Sequence, residues 1–270
     1  MDPHPIITLL TDFGYQDPFV GIMKGVILSL CPNAVIVDLC HETAAYDVLT
    51  GSFLLQSAVP FFPPGTIHVA VVDPGVGGPR RPIMAQIDHH LYVAPDNGLL
   101  SYPMHHGTIR MLRTITSREY LLQPVSATFH GRDVFASAAG HLARGIPAER
   151  FGPETTDIVR LPIPNPRLDE SGALSGQVMW IDRFGNCITN IAPKDIEALR
   201  TRKAGGVRVL VNSRLVGGIV RSFGEAGHPG GCGAILGSAG YLEVFMDQGN
   251  LAREWGIVPG ATVRVEIVSE

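Results

Sequence analysis

The strongest constraint on the fold is an alternation that fills the first 145 residues. Five short apolar runs, IITLL (6–10), AVIVDLC (34–40), TIHVAVVD (66–73), PIMAQI (82–87) and HLYVAPD (90–96), have the length and residue types of strands. Two intervening segments place apolar residues at helical spacing. One covers 17–32 and is stopped by Pro32; the other covers 46–63, where Pro60 ends the helix. A further helix is expected over 129–145, closed by Gly145. Strands that alternate with helices bury both kinds of element as a largely parallel sheet covered by helices on its two faces.

The texture changes at LPIPNPRLDESGALSG (161–176), where three prolines alternate before a polar, small-residue stretch. Beyond it come short alternating runs, QVMWID, VRVLVN, GYLEVFM and TVRVEIV, separated by glycine-rich turns. The expected organisation is therefore an α/β domain over 1–162, a linker over 163–175 and a small all-β, barrel-like domain over 176–270. No internal repeat or low-complexity tract interrupts this plan.

Composition narrows the function classes. A chain of 270 residues with 45% hydrophobic and 17% charged residues supports a sizeable core. Its net charge of −4, with Arg and Lys scattered, argues against a nucleic-acid or anionic-membrane partner. The N-terminal MDPHPIITLLTDFG is acidic with a short apolar run, unlike a signal peptide or an anchor, and no apolar stretch is long enough to cross a bilayer. Cys31, Cys40, Cys187 and Cys232 have no metal-ribbon or redox spacing and read as reduced thiols of a cytoplasmic protein.

In open parallel sheets, ligands bind beyond the carboxyl ends of the strands, and here those ends are polar. The first strand runs into Thr11-Asp12, with Asp17 shortly after. The third delivers Asp73 into DPGVGGPRR, and the fifth ends in Asp96-Asn97. The helix at 129–145 opens with His130, Arg132 and Asp133. Each has a structural alternative. Asp12 suits an Asx turn, Asp73 a tight turn, Arg80 or Arg81 an ion pair, and His130 a satisfied core position. Their joint placement at one end of the sheet favours a site. GVGG lacks dinucleotide-loop spacing, and no phosphate loop, HExxH or nucleophile elbow is present. His89-His90 and His105-His106 are adjacent pairs that point to opposite faces in a strand, so no metal site is expected.

Six blocks taken together, TDFGYQDPFVG, VVDPGVGGPRR, APDNGLLS, FHGRDVF, WIDRFGNCITNI and GSAGYLEVFMDQGN, resemble the S-adenosylmethionine hydroxide adenosyltransferase family, whose members are S-adenosylmethionine hydrolases related to fluorinases and chlorinases. The resemblance runs in order from about residue 6 to 268. It implies a Rossmann-like N-terminal domain with a mostly parallel sheet and a C-terminal β-barrel. It also implies a homotrimer, with substrate held at subunit interfaces. The implied reaction is attack of water on the ribose C5′ of S-adenosylmethionine, releasing adenosine and L-methionine without a cofactor.

The resemblance also implies residue roles. Asp73, Arg80 and His130 would handle the water, either by deprotonating it or by capturing hydroxide; spacing within the family selects Arg80 over Arg81. Asp12 would accept hydrogen bonds from the ribose hydroxyls. Asp182 would meet the methionine ammonium and Asn186 the adenine edge, with Phe184 stacked on the base. Ser238 would bind the methionine carboxylate, although Ala239 stands where halogenating relatives have Arg. Glu243 would meet the amino group or face solvent as a strand residue. Asp17, Asn97 and Phe129 would complete the pocket. Halogenating relatives lack the polar Asp–His set, so Asp73 and His130 favour water over halide. The alternatives are a halogenase-like adenosyl enzyme and a non-catalytic sensor of S-adenosylmethionine or adenosine.

Overall fold

The computed structural model describes residues 4–202 and 205–268. The chain divides into two compact units, Met1–Ile163 and Pro164–Glu270.

In the first unit, β1 (Ile6–Thr11), β2 (Val35–Cys40), β3 (Ile67–Val71), β4 (Pro82–Ile87), β5 (His90–Pro95) and β6 (Ile109–Thr114) form one sheet in the order β2-β1-β3-β5-β4-β6. The pairs β1–β2, β1–β3 and β3–β5 are parallel. β4 runs against both β5 and β6, so the sheet is mixed. The cause is local: only Asp88 and His89 separate β4 from β5, and a two-residue connection joins only antiparallel strands. Asp88 takes the positive φ of 50° that this turn needs, without a glycine to advertise it.

Both faces of the sheet are covered. Ile7, Leu9, Val69 and Val71 pack with Met23 and Ile27 of α1 (Phe19–Leu30) and with Ala138 and Ala139 of a later helix (Ser137–Ala143). Leu10, Ala70 and Val72 pack on the other face with Leu55 of α2 (Val48–Ala58) and Met104 of α3 (Ser101–His106). The central strands are therefore apolar on both sides, which is why they read as continuous rather than alternating runs. α3 and β6 have no counterpart in the sequence reading. The helix expected over 129–145 begins with a π-helical turn, Gly131–Ala136, before the α-helical part at Ser137–Ala143, here α4.

The second unit contains β7 (Arg167–Leu168), β8 (Leu174–Ile181), β9 (Cys187–Thr189), β10 (Gly206–Val211), β11 (Arg214–Gly217), β12 (Ile219–Val220), β13 (Cys232–Leu236), β14 (Leu242–Met246) and β15 (Thr262–Val268). Their order is β11-β10-β15-β8-β9-β14-β13-β12, with β7 on β8. The long β8 joins the two halves, pairing with β15 through residues 174–177 and with β9 through 178–181. The sheet wraps into a nearly barrel-shaped form. It differs from an all-β unit in carrying α5 (Pro193–Arg202) and α6 (Leu251–Trp255), whose Ile196, Leu199, Leu251 and Ala252 enter the core. The proline-alternating stretch before β8 is fastened to this unit: Asn190 Nδ2 donates to the Pro164 carbonyl at 2.8 Å, and Arg264 Nε to Asp169 at 2.9 Å. Among the described residues no helix is long and apolar enough to cross a membrane.

Candidate active site

Because β1, β3 and β5 are parallel, their carboxyl ends carry Asp12, Asp73 and Asp96-Asn97 to the same edge of the sheet. Asp73 leaves the β3 strand end into two successive turns, Val76 N–H to the Asp73 carbonyl at 3.2 Å and Gly78 N–H to the Gly75 carbonyl at 3.0 Å. Gly77 sits at φ +75°, and a Cβ there would fall 2.2 Å from the Ala127 carbonyl oxygen. The turn therefore needs glycine on two counts. It folds Arg80 back over Asp73: Nε donates to both carboxylate oxygens at 2.9 Å, and Nη2 donates to Oδ2.

Arg80 Nη2 also lies 2.7 Å from His130 Nδ1. Guanidinium nitrogens only donate, so Nδ1 accepts and His130 carries its proton on Nε2. Burial, and then the adjacent Arg80 charge, push the His130 pKa below its ordinary value, against the opposing pull of Asp73 and Asp133. Side-chain exposure is 9% for Arg80 and 4% for Asp73, so the pair is largely withdrawn from water. Arg80 Nη1 is buried without a hydrogen-bond partner among the described residues. The cluster thus has two donor nitrogens to offer, Arg80 Nη1 and His130 Nε2, while Arg80 donates to both oxygens of Asp73. Such a set suits an oxygen that carries or gains negative charge.

The neighbouring arginine is spent elsewhere. Arg81 forks onto Asp96 at 2.9 and 2.5 Å and donates to the Asp157 carbonyl at 2.9 Å. Asn97 is satisfied within the fold, donating to the Val72 carbonyl at 2.8 Å and accepting from Leu99 N–H at 3.2 Å. Asp12 Oδ2 accepts from Tyr46 N–H at 2.9 Å. Asp17 is exposed. Phe129 meets Phe13 and Phe19 edge-to-face, with centroids 6.1 and 5.2 Å away, and Arg132 lies 5.3 Å over its ring. Arg132 forks onto the fully buried Asp133, which also accepts from Ser126 N–H at 2.7 Å and so braces the approach to His130. The sequence reading did not single out His41, a buried histidine beside Thr11; its only sequence signal is a polar pair, Cys40-His41, at the end of the second strand.

In the second unit, Asp182 braces its own loop, accepting from Phe184 N–H and Asn186 N–H at 2.9 Å each and from Asn186 Nδ2 at 3.1 Å. This turn leaves Phe184 72% exposed on a groove of about 500 Å³ that Asn186, Phe223, Met246 and Arg253 also line. Glu243, on β14, has its pKa raised by burial and by the Asp182 charge, against a hydrogen bond from Asn186. Its carboxylate lies against Gly237, where a Cβ would fall 2.4 Å from Oε2. The adjacent Ser238 is exposed in the β13–β14 turn. Asp182, Asn186 and Glu243 are therefore brought together. Among the described residues no group of three or more His, Cys, Asp or Glu side chains is placed to hold a metal.

Comparison with known proteins places this geometry in context. The models of the SAM hydroxide adenosyltransferase N-terminal and C-terminal domains match residues 7–152 and 176–264. An (R)-S-adenosyl-L-methionine hydrolase of Thermus thermophilus is 38% identical, over 96% of this chain and 98% of its own. A fluorinase of Nocardia brasiliensis is 31% identical over 97% of each chain. The crystal structure of an uncharacterized conserved protein from Thermotoga maritima, 33% identical, superposes with a TM-score of 0.90 over 96% of this chain and 99% of that one. With both domain models matched in order and relatives aligned over nearly the whole length, the chain belongs to the SAM hydroxide adenosyltransferase family.

Proposed function

We propose that this protein hydrolyses (R)-S-adenosyl-L-methionine to adenosine and L-methionine. The observation that carries the reading is the hydrogen-bonded Asp73–Arg80–His130 cluster, with its Asp73–Arg80 pair largely withdrawn from water, at the strand ends of a chain so similar to (R)-S-adenosyl-L-methionine hydrolases. In the reaction a water oxygen bonds to C5′ as the C5′–S bond breaks, its electron pair going to sulfur. One proton is released. The leaving thioether is neutral, so the chemistry draws on no general acid and no cofactor. The protein has to align an oxygen nucleophile and stabilise its hydroxide character.

The proton inventory assigns the work. His130 Nδ1 is occupied by Arg80, so His130 acts through Nε2–H as a donor that holds the oxygen, not as its base. Arg80 Nη1 supplies a second, cationic donor. Asp73 keeps Arg80 oriented and accepts from the water. Asp12 is assigned to the ribose hydroxyls, Phe184 and Asn186 to adenine, Asp182 with Glu243 to the methionine ammonium, and Ser238 to its carboxylate. Phe129, Asn97 and Asp17 are assigned to complete the pocket. On this reading the first unit is a Rossmann-like domain, the second a small barrel, and the working form a cytoplasmic homotrimer whose sites lie at subunit interfaces.

The test is incubation with (R)- and (S)-S-adenosylmethionine in 18O-labelled water, with and without chloride or fluoride, followed by chromatography and mass spectrometry. Adenosine carrying 18O at its 5′-hydroxyl and unlabelled methionine are expected from the (R) epimer, and an Asp73→Ala variant should make neither. A 5′-halogenated nucleoside, or binding without turnover, overturns the reading.

A further inference from the structure

The carboxyl end of β1 holds a buried hydrogen-bonded chain that the proposed chemistry does not use. His41 is 1% exposed and lies between two partners. Thr11 Oγ1 is 2.8 Å from Nδ1. Asp38 Oδ1 is 3.1 Å from Nε2, off the line of a good hydrogen bond, while Asp38 Oδ2 takes Lys24 Nζ at 2.6 Å and the Tyr15 hydroxyl at 3.3 Å. The protons have one consistent arrangement. A carboxylate only accepts, so His41 keeps its proton on Nε2, facing Asp38, and Nδ1 accepts. Burial, which lowers the His41 pKa, favours this neutral ring. The Thr11 hydroxyl then donates to Nδ1 while its oxygen accepts from Phe13 N–H at 3.2 Å. The His41 carbonyl accepts from Gly14 N–H at 2.7 Å. One histidine thus holds the turn that follows β1 at Phe13, through its ring, and at Gly14, through its backbone. Asp12 lies inside that turn, with Oδ2 held by Tyr46 N–H at 2.9 Å.

We propose that His41 is a positioning residue: through Thr11 it sets the turn that presents the Asp12 carboxylate, and so determines how strongly the site prefers a ribose bearing both hydroxyls. The proposal rests on the assignment of Asp12 to the ribose.

Two variants separate the links in the chain. In His41→Asn the amide oxygen takes the place of Nδ1 and still meets Thr11. In His41→Gln the amide reaches the Nε2 position and abandons Thr11. Binding of adenosine and of 2′,3′-dideoxyadenosine is measured by calorimetry, with Tm recorded for each protein. Wild type should prefer adenosine by about tenfold or more, the gain from a diol on a carboxylate. His41→Gln should cut that preference to about twofold while leaving dideoxyadenosine affinity unchanged, and His41→Asn should keep most of it. If the Gln variant weakens both nucleosides equally, or loses Tm with the preference intact, His41 is only structural and the proposal is overturned with Asp12 still on the ribose. If wild type shows no preference, the Asp12 assignment falls and takes the proposal with it.

Discussion

Arg80 and His130 share a hydrogen bond of 2.7 Å whose direction is fixed, because a guanidinium has nothing to accept with. Protonating His130 on Nδ1 would break that bond and set two cations against each other. Since its pKa is lowered from 6.5 by burial and by Arg80, kcat should hold steady down through pH 6.5 and fall only below it. His130→Asn, which keeps an acceptor at the Nδ1 position but cannot titrate, should lose the acid limb and about tenfold in rate. A pH–rate profile of both proteins checks this; a limb centred above 6.5 would contradict it.

Arg80 and Arg81 are adjacent but should behave as opposites. Arg80→Lys loses the fork onto Asp73 and the bond to His130, and kcat should fall about 100-fold or more with KM little changed. Arg81→Ala should leave kcat within about threefold. It leaves Asp96, whose side chain is 2% exposed, with the Val159 N–H but no cation, and should cost about 1–2 kcal/mol because Arg81 is itself partly solvated. Steady-state kinetics and denaturant melts of the two variants distinguish them.

Gly77→Ala places a methyl group 2.2 Å from the Ala127 carbonyl oxygen at φ +75°. The loop must move, so stability should fall by more than about 1 kcal/mol and kcat should fall with it. A variant with wild-type Tm and rate would mean that the turn yields freely.

At the other end of the sheet, His68 is fully buried, 2.7 Å from Thr8 Oγ1 and 3.3 Å from His90. Burial first, then His90, hold its pKa at about 3. Its folded pKa lies below its unfolded one, so its contribution to stability is complete above about pH 6.5. As pH falls from there toward 3 the unfolded chain binds a proton that the fold refuses, costing about 1.4 kcal/mol per pH unit. His68→Asn should shallow the acid side of the stability curve by about one proton, read from urea melts between pH 7 and 4.

Phe184 is 72% exposed and supports no core. Phe184→Ala should therefore leave Tm within about a degree. If the ring stacks on adenine, KM should rise about tenfold, consistent with roughly 1–2 kcal/mol for a base on an aromatic face. A drop in Tm without a change in KM would assign the ring to packing instead.

Some of this architecture was legible because its signals are local. β1, β2 and β3 are near-continuous apolar runs, and the polar residues after β1, β3 and β5 mark one edge as soon as those strands are taken as parallel. β4 was legible as a strand, but its reversal was not, because it depends on a two-residue turn, Asp88-His89, in which Asp88 takes a positive φ without a glycine. α5 and α6 were missed because they are short and take their stability from barrel contacts at Ile196, Leu199 and Leu251 rather than from a long apolar period.

The sequence by itself determined the α/β start, the β-rich second part and the set of polar residues available for chemistry, since apolar period and turn composition act over a few neighbouring residues. Only the tertiary structure decided how those residues are used. It paired Arg80 with Asp73 and His130, fifty residues away, while Arg81 turned to Asp96. It spent the Asn97 amide inside the fold and put His41 beneath the Asp12 turn. Hydrogen bonds between residues distant in sequence depend on where strands and loops converge, and that convergence is a property of the packed fold rather than of any local stretch of chain.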